Sequence, residues 1–385
     1  MIGFFRGVSV ILLAFFSAAP GAALAQDFET KAKFAVLMDY ESGTVLFDKS
    51  ADEQLEPASM AKLMTAAVVF DQLQQGKLRP QDEFFISEHA WRTGGAQSGG
   101  STMFAVLNSK VPVIDLLRSM IIQSGNDAAI ALAEGIAGSE AGFAGMMNQL
   151  GEELGLEHTH FVNATGLPDP AQFSTARDLA TIARFIIAQF PEYYPLFSEP
   201  EFTWNKIRQM NRNSLVEMGI GVDGLKTGHT EAAGYGTVVS SAAGGRRLIA
   251  VLHGLSSMAE RAEEARKLIT WGARGFELVQ AFEAGEAVTR APVYGGAAGE
   301  VALVGKGAID LFIPKGAKDC PQATVTYTAP IRPPVKQGEQ LGLMTVTCAG
   351  KVIQTNPLYA AEDVAEGDIV RKAADALKEL ALGWL

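Results

Sequence analysis

The sequence Glu-Pro-Ala-Ser-Met-Ala-Lys-Leu-Met-Thr, residues 56–65, places one serine and one lysine a single helical turn apart. Ser59 and Lys62 stand at positions i and i+3, so they share a face if this stretch is helical. Pro57 favours the first turn of a helix, because its φ is fixed and it has no N–H to donate. The apolar residues that follow recur at helical spacing and predict a buried stripe, made of Met60, Leu63, Met64, Ala67 and Val68.

The Ser59–Lys62 pair has two interpretations. A serine hydroxyl becomes a good nucleophile when a neighbouring base takes its proton, and a buried lysine with a lowered pKa is such a base. Alternatively, a serine near a helix N-terminus only caps the helix or is solvated, and the pair taken alone favours this interpretation. The S-x-x-K spacing therefore needs support from the rest of the chain.

The segments around this stretch alternate between strands and helices. Apolar runs on either side of a turn predict a β-hairpin over residues 34–48. Helical periodicity begins at Pro112 and is broken at Ser124-Gly125-Asn126, and residues 163–170 are predicted to be a loop. Thr175–Asp178 predicts the N-terminal capping box of a helix that extends to about Phe190. Strands resume at Val222, with a second hairpin over residues 236–254 and a last helix over 259–281. Strands at both ends with helices between them predict one antiparallel sheet that is covered by helices, which is an α+β domain.

The composition changes to Gly, Ala and Pro around residues 284–299, which marks a candidate domain boundary. Short β-prone runs follow and predict a small all-β sandwich. The expected organisation is an α+β domain over residues 26–284, a β-sandwich domain over 285–365 and a C-terminal helix over 366–385. Cys320 and Cys348 both fall in the second domain, where they form either a disulfide or two separate buried thiols.

Residues 1–25 have the pattern of an export signal. Arg6 supplies the positive start, residues 8–19 form the apolar stretch, and Ala23-Leu24-Ala25 is a small-x-small cleavage site. The apolar stretch is short for a membrane span. We therefore expect an exported protein whose mature chain starts at Gln26.

The last residues of the chain predict an amphipathic helix over residues 366–385. The helix ends in Trp384 and Leu385, which extend its apolar face, while Arg371, Lys372 and other charged residues occupy the opposite face. Such a helix at the end of an exported chain would lie in a membrane interface. The alternative is an ordinary helix that packs on the β-domain.

Composition excludes several kinds of partner. The formal net charge of −11 argues against nucleic acid. The five histidines are scattered, and neither cysteine has a histidine or cysteine neighbour at metal-ligand spacing, so no metal site is expected. No cofactor is expected either.

Two further motifs change the interpretation of Ser59. Ser124-Gly125-Asn126 stands at a break between helices, and Lys226-Thr227-Gly228 leads into a strand. Each motif alone is ordinary, as is the lone cation Arg261. The ordered set S-x-x-K, S-G-N and K-T-G is much more specific, because three independent short motifs must occur in one order.

This set resembles the signature of β-lactamases and penicillin-binding proteins. Nearly the whole mature chain is similar to the low-molecular-mass penicillin-binding proteins that are D-alanyl-D-alanine carboxypeptidases. The resemblance rests on the segments Pro57–Lys62, Ser124–Asp127, Asn163–Leu167, Ser174–Asp178 and Asp223–Thr230. It implies a transpeptidase/β-lactamase-like fold for the first domain. The middle motif is S-G-N, as in these carboxypeptidases, and departs from the S-D-N of many β-lactamases.

The resemblance implies roles for four catalytic residues. Ser59 is expected to be the acyl-accepting nucleophile and Lys62 its base. Ser124 and Lys226 are expected to form a hydroxyl–ammonium pair that passes a proton to the leaving D-alanine nitrogen.

It also implies five substrate-binding residues. Asn126 would orient the substrate amide, while Thr227 and Arg261 would hold the terminal carboxylate of the peptide. The oxyanion hole is expected at the backbone N–H groups of His229 and of the nucleophilic serine. Gly228 has no side chain, so a substrate backbone can approach the sheet edge there.

The expected function is a serine-type D,D-carboxypeptidase that acts on peptidoglycan stem peptides ending in D-Ala-D-Ala, in peptidoglycan maturation and cell-wall remodelling. β-Lactam antibiotics would be its covalent inhibitors, and the protein would be periplasmic and peripheral on the outer face of the inner membrane. A β-lactamase or D,D-endopeptidase with the same site is an alternative. The loop over residues 163–174 contains Asp169 but no glutamate to activate water. A non-catalytic wall-binding protein is the alternative from another class.

Overall fold

The computed structural model describes residues 7–14, 28–317 and 320–382 and divides into two compact units. One unit is Phe28–Arg274, and the other combines Gly275–Leu385 with Met1–Asp27. The strands are β1 (Gly7–Ala14), β2 (Phe34–Asp39), β3 (Val45–Lys49), β4 (Glu83–Phe85), β5 (Lys110–Pro112), β6 (Glu201–Trp204), β7 (Ile207–Met210), β8 (Val222–Thr230), β9 (Gly234–Ser241), β10 (Leu248–Leu255), β11 (Phe276–Phe282), β12 (Ala287–Pro292), β13 (Glu300–Val304), β14 (Ile309–Pro314), β15 (Gln322–Ala329), β16 (Gln340–Cys348) and β17 (Lys351–Ala360). The α-helices are α1 (Lys62–Gln74), α2 (Val113–Ile122), α3 (Asn126–Ala137), α4 (Glu140–Glu153), α5 (Ala176–Gln189), α6 (Met258–Gly275) and α7 (Ile369–Leu382).

The first unit contains a five-stranded antiparallel sheet in the order β3-β2-β10-β9-β8. Strand β10 pairs with β2 on one side and with β9 on the other, so it joins the N-terminal hairpin to the later strands. The prediction of one sheet built from both ends of the segment is therefore confirmed. Strand β8, which carries the K-T-G motif, lies at an edge of this sheet.

Helices cover both faces of this sheet. Side chains on successive residues of a strand point to opposite faces. On β10, Ile249 and Val251 belong to the large core that includes α1 and α5, whereas Ala250 and Leu252 belong to a second core that includes α6. The helix α1 that follows Ser59 therefore packs in the larger of the two cores.

Local sequence signals predict the start of α5 correctly and the end of α6 incorrectly. Thr175 accepts a hydrogen bond from the Asp178 amide at 3.0 Å, which confirms the predicted cap of α5. The predicted helix over residues 259–281 is wrong beyond Gly275, because Phe276–Phe282 forms β11 and pairs with β14. Pairing with a distant strand overrides the local helical spacing, and the two units divide earlier than the composition change at 284.

In its described residues, the second unit consists of β-strands and the helix α7. Its larger sheet has six strands in the order β1-β15-β16-β17-β13-β12, and β11 and β14 form a separate pair. Cys320 and Cys348 are joined in a disulfide, which decides between the two alternatives for these thiols. Strand β1 falls within the predicted export signal and pairs with β15. The predicted cleavage site, residues 23–25, lies outside the described residues.

Helix α7 begins with exposed apolar side chains. Ile369 and Val370 are 85% and 76% exposed. Asp375 accepts a hydrogen bond from the Gly295 amide at 2.9 Å, so the helix is also held to its own unit. Trp384 and Leu385 lie outside the described residues. Among the helices that the structure describes, none combines the length and apolar character needed to cross a bilayer.

Candidate active site

Ser59 lies in a 3-10 turn, Ala58–Ala61, that leads directly into the buried helix α1. Ala58 has φ of +47°, a left-handed conformation that residues with a Cβ seldom adopt. A Cβ added at Gly228 would lie 3.2 Å from both the Ala58 Cβ and the Pro57 carbonyl oxygen. The glycine of the K-T-G motif therefore makes room for the serine turn itself, in addition to any substrate.

Lys62 is buried and points its amine at the serine. Its Nζ donates to Ser59 Oγ at 3.0 Å, to Asn126 Oδ1 at 2.7 Å and to the Thr165 carbonyl oxygen at 2.5 Å. Burial lowers the pKa of Lys62 to about 7, and the charges of two acidic residues, Glu140 and Asp127, oppose this only in part. At neutral pH a large share of this amine is therefore unprotonated and can accept the serine proton.

The S-G-N motif forms the turn between α2 and α3. Ser124 has φ of +70°, and the backbone N–H of Asn126 donates to the Ser101 carbonyl oxygen at 2.8 Å. The next residue, Asp127, fixes the adjoining loop, since it accepts hydrogen bonds from Thr102 Oγ1 and from the amides of Met103 and Ala105. Within the described part of the chain, the buried Ser124 Oγ has no hydrogen-bond partner.

Lys226 is buried on the edge strand β8. Its Nζ donates to the Thr227 carbonyl oxygen at 3.1 Å. Burial lowers its pKa well below the usual value, and the positive charges of Lys62, Arg212 and Arg261 lower it further. No hydrogen bond joins Lys226 to Ser124 in the described structure, so the proton relay between them stays a prediction.

A cleft of about 450 Å³ brings the motifs together. It is lined by residues from all three motifs and from several loops: Ser59, Gly99, Gly100, Ser101, Ser124, Asn126, Gly166, Leu167, Arg212, Thr227, Gly228, His229, Thr230, Tyr235, Met258 and Arg261. None of these described lining residues is acidic. Seven of the nine residues expected from the sequence line the cleft, and the other two, Lys62 and Lys226, are buried lysines.

Two arginines, Arg212 and Arg261, line this cleft. Arg261, only 8% exposed, donates from Nη2 to the Arg212 carbonyl at 3.2 Å and lies 5.9 Å from the Tyr235 ring centroid. Burial, with the charge of Arg212 as the second cause, lowers the pKa of Arg261 to about 10. A neighbouring anion would raise the pKa of Arg261 again, so a carboxylate is the kind of group that these arginines could bind.

Sequence reasoning missed Arg212 and Tyr235. Arg212 follows the β6–β7 hairpin in Asn-Arg-Asn, which carries no motif, and only the tertiary fold places it beside Arg261. The Tyr235 ring stacks on His229 with the centroids 3.9 Å apart. A Tyr following Gly at the start of a strand gives no local sign of such a contact.

The carboxylates near the loop over residues 163–174 are engaged in structural contacts. Glu140 on α4 accepts from the Ala164 amide at 3.1 Å and lies 3.1 Å from His89 Nε2. Asp169 is exposed and accepts from the Ala171 amide at 2.8 Å. Neither residue lines the cleft. In the same described residues, no cluster of three or more His, Cys, Asp or Glu side chains forms a metal site.

Comparison with solved structures identifies the fold as that of the penicillin-binding proteins. Penicillin binding protein 5 from Haemophilus influenzae matches with a TM-score of 0.74 and 38% identity, over 91% of this chain and all of that chain. The D-alanyl-D-alanine carboxypeptidase DacD from Francisella tularensis matches with a TM-score of 0.73 and 29% identity, over 91% of this chain and 97% of that one.

Sequence comparison then gives the family. Residues 21–257 match the family model of the D-alanyl-D-alanine carboxypeptidases, and residues 276–366 match that of the penicillin-binding protein 5 C-terminal domain. D-alanyl-D-alanine carboxypeptidase DacC of Escherichia coli (strain K12) is 42% identical over 88% of this chain and 86% of that protein. The chain belongs to the D-alanyl-D-alanine carboxypeptidase family of serine hydrolases.

Proposed function

We propose that this protein removes the terminal D-alanine from peptidoglycan stem peptides through an acyl-enzyme on Ser59. The observation that carries the proposal is the Lys62 amine, which lies 3.0 Å from Ser59 Oγ in a site where its pKa falls to about 7. Membership of the family supports the same reaction, since the relatives carry the name D-alanyl-D-alanine carboxypeptidase.

In the acylation step, the neutral Lys62 amine takes the Ser59 proton while Oγ attacks the carbonyl carbon of the penultimate D-alanine. The carbonyl oxygen becomes an oxyanion, for which the backbone N–H groups of Ser59 and His229 are the proposed donors. One such donor contributes about 3 kcal/mol to lowering the barrier in serine hydrolases. The amide C–N bond then breaks, leaving an ester on Ser59.

The leaving D-alanine nitrogen must gain a proton as that bond breaks. Lys62, which holds the serine proton, is 2.7 Å from Asn126 Oδ1, and the Ser124 hydroxyl lines the same cleft. We propose that the proton passes from Lys62 through the Ser124 hydroxyl to this nitrogen, with Lys226 as the partner of Ser124 in the relay. Water then attacks the ester, Oγ regains its proton and the shortened peptide leaves.

The terminal carboxylate of the peptide is assigned to Arg261, Arg212 and Thr227. These residues line the cleft, and no acidic residue among the described lining residues neutralises the arginines. A binding site for a free carboxylate distinguishes a chain end from an internal bond, which favours carboxypeptidase over endopeptidase action.

Arg261→Ala should lower kcat/KM for a peptide ending in D-Ala-D-Ala by about tenfold to a hundredfold, the usual effect of losing a hydrogen bond to a charged group. The same peptide with a terminal carboxamide should be a poor substrate, and its kcat/KM should be the same for the variant and the wild type. Steady-state kinetics on both peptides make the comparison.

Arg208→Ala is the matched control, since Arg208 is exposed and pairs with Glu201 away from the cleft. It should leave both rates unchanged. An equal loss for Arg261→Ala on the two peptides would assign Arg261 to structure and not to the carboxylate.

The direct test of the proposed function is release of D-alanine from a synthetic stem peptide that ends in D-Ala-D-Ala. We expect one equivalent of D-alanine per peptide and no release from a peptide ending in L-Ala-L-Ala. If the purified protein binds peptidoglycan but releases no D-alanine, the protein is a wall-binding member of the family.

β-Lactams are the proposed covalent inhibitors, because their strained amide presents the same carbonyl to Ser59. The contacts of Glu140 and Asp169 favour slow hydrolysis of the penicilloyl ester, since neither carboxylate lines the cleft where it could activate water. A long-lived adduct is thus expected, whereas rapid turnover of penicillin would support the β-lactamase alternative.

We propose that the mature protein is periplasmic and peripheral on the outer face of the inner membrane. The exposed Ile369 and Val370 at the start of α7, together with the apolar residues that follow in sequence, support this location. Fractionation of cells that express the full chain or a chain ending at Glu366 measures the contribution of the helix. The full chain should be in the membrane fraction and the shortened chain in the periplasm, and equal distribution would remove the helix as an anchor.

A further inference from the structure

His253 on β10 lies beneath the segment that leads to the proposed nucleophile. It is 1% exposed, and its Nε2 is 2.8 Å from the Glu56 carbonyl oxygen. A carbonyl oxygen only accepts hydrogen bonds, so Nε2 must carry the proton and donate it. The other ring nitrogen, Nδ1, is then an acceptor, and it is buried without a hydrogen-bond partner among the described residues.

Packing alone does not account for a histidine at this position. Ile249 and Val251 precede it on the same face of β10 and are fully buried apolar residues. Phe34 on the paired strand lies with its ring centroid 6.2 Å from the imidazole. A buried hydrogen-bond acceptor without a partner, such as Nδ1, destabilises a protein and is rare. We infer that the hydrogen bond from the other nitrogen, Nε2, to Glu56 has a role that offsets this cost.

The neighbouring strand is adapted to the imidazole. A Cβ added at Gly236 on β9 would lie 2.3 Å from His253 Nδ1 and 2.8 Å from the Met60 Cε atom. Any side chain at this position would thus displace either the histidine ring or the methionine that follows Ser59. Gly236 and His253 form a matched pair under the serine turn.

The bonded carbonyl belongs to Glu56, which precedes the Pro57 that leads into the strained turn Ala58–Ala61. Glu56 is followed by Pro57, by Ala58 with φ of +47°, and by Ser59. A Cβ at Gly166 would lie 1.8 Å from the Ala58 carbonyl oxygen, so the loop that contains Gly166 also packs directly on the turn. The turn is thereby enclosed, and the His253 bond fixes the carbonyl at its start.

We propose that His253 is a positioning residue for the acylation reaction, because its hydrogen bond to Glu56 orients the turn that presents Ser59 Oγ and the Ser59 backbone N–H. The inference rests on the proposed role of Ser59 as nucleophile. Burial lowers the pKa of His253 to about 4, so the neutral donor form is present at neutral pH. A small displacement of a nucleophile is enough to lower its reaction rate strongly.

The test compares His253→Leu with His253→Gln by the rate of acylation with a fluorescent penicillin. Leucine fills the apolar site but has no donor, whereas the glutamine amide can donate to the Glu56 carbonyl. His253→Leu should acylate about tenfold or more slowly with little change in the initial non-covalent affinity. His253→Gln should restore most of the rate.

Thermal unfolding of each variant shows whether the substitution changes stability. The control variant is Val251→Ala, which truncates a buried residue on the same face of β10. Val251→Ala should lower the unfolding temperature without slowing acylation. If His253→Leu acylates at the wild-type rate, or if leucine and glutamine slow the reaction equally, His253 is not a positioning residue. Failure of the wild-type protein itself to be acylated would instead contradict the proposed function.

Discussion

Replacing Ser59 with alanine will abolish both D-alanine release and labelling by penicillin. Removal of the nucleophile in serine hydrolases lowers kcat by a factor on the order of 10⁶. Among the described residues that line the cleft, Ser59 is the one whose hydroxyl is hydrogen-bonded to a lysine amine. D-Alanine release and gel fluorescence with a labelled penicillin provide the two measurements. Ser59→Ala should keep the wild-type unfolding temperature, since only one oxygen is removed from a half-buried side chain.

Ser198→Ala is the control for this experiment. Ser198 is exposed and its hydroxyl donates to the Pro195 carbonyl, outside the residues that line the cleft. It should react like the wild type. Turnover that persists in Ser59→Ala, above what contaminating enzyme explains, would show that another group is the nucleophile.

Lys62→Met should lower the acylation rate by about 10²–10⁴-fold, the usual contribution of a general base. Methionine fills a similar volume but cannot accept a proton from Ser59. The loss should appear in acylation by penicillin as well as in peptide hydrolysis, because both begin with the same proton transfer. Wild-type acylation in a folded Lys62→Met protein would exclude Lys62 as the base.

The pH dependence of acylation tests the same role without a substitution. Lys62 acts only when neutral and its pKa is about 7, so the rate should rise about tenfold per unit below pH 7 and level off above it. The positive charge of Lys62 lowers the pKa of Lys226, so the two lysines titrate together and the observed midpoint belongs to the pair. A midpoint near the ordinary lysine value would contradict the assignment.

Much of the site could be predicted from the sequence because its motifs are short and each stands at the boundary of an element. Ser59 precedes α1, Asn126 begins α3, and Lys226 lies on β8. Helix starts and edge strands are signalled locally by proline, glycine and the change of hydrophobic period. The meeting of the three motifs in one cleft followed from their order and not from any single residue.

The parts that the sequence could not predict depend on long-range packing. Arg212 and His253 belong to no motif, and only the tertiary fold brings them beside Arg261 and Glu56. The lowered pKa of Lys62 likewise depends on burial among elements far apart in the chain.

The most direct test of the central claim is to locate the acyl group. The protein is incubated with benzylpenicillin, digested, and the modified peptide is sequenced by mass spectrometry. The proposed mechanism predicts a single penicilloyl group on Ser59, and none in Ser59→Ala. A penicilloyl group on any other residue of the wild-type protein would contradict it.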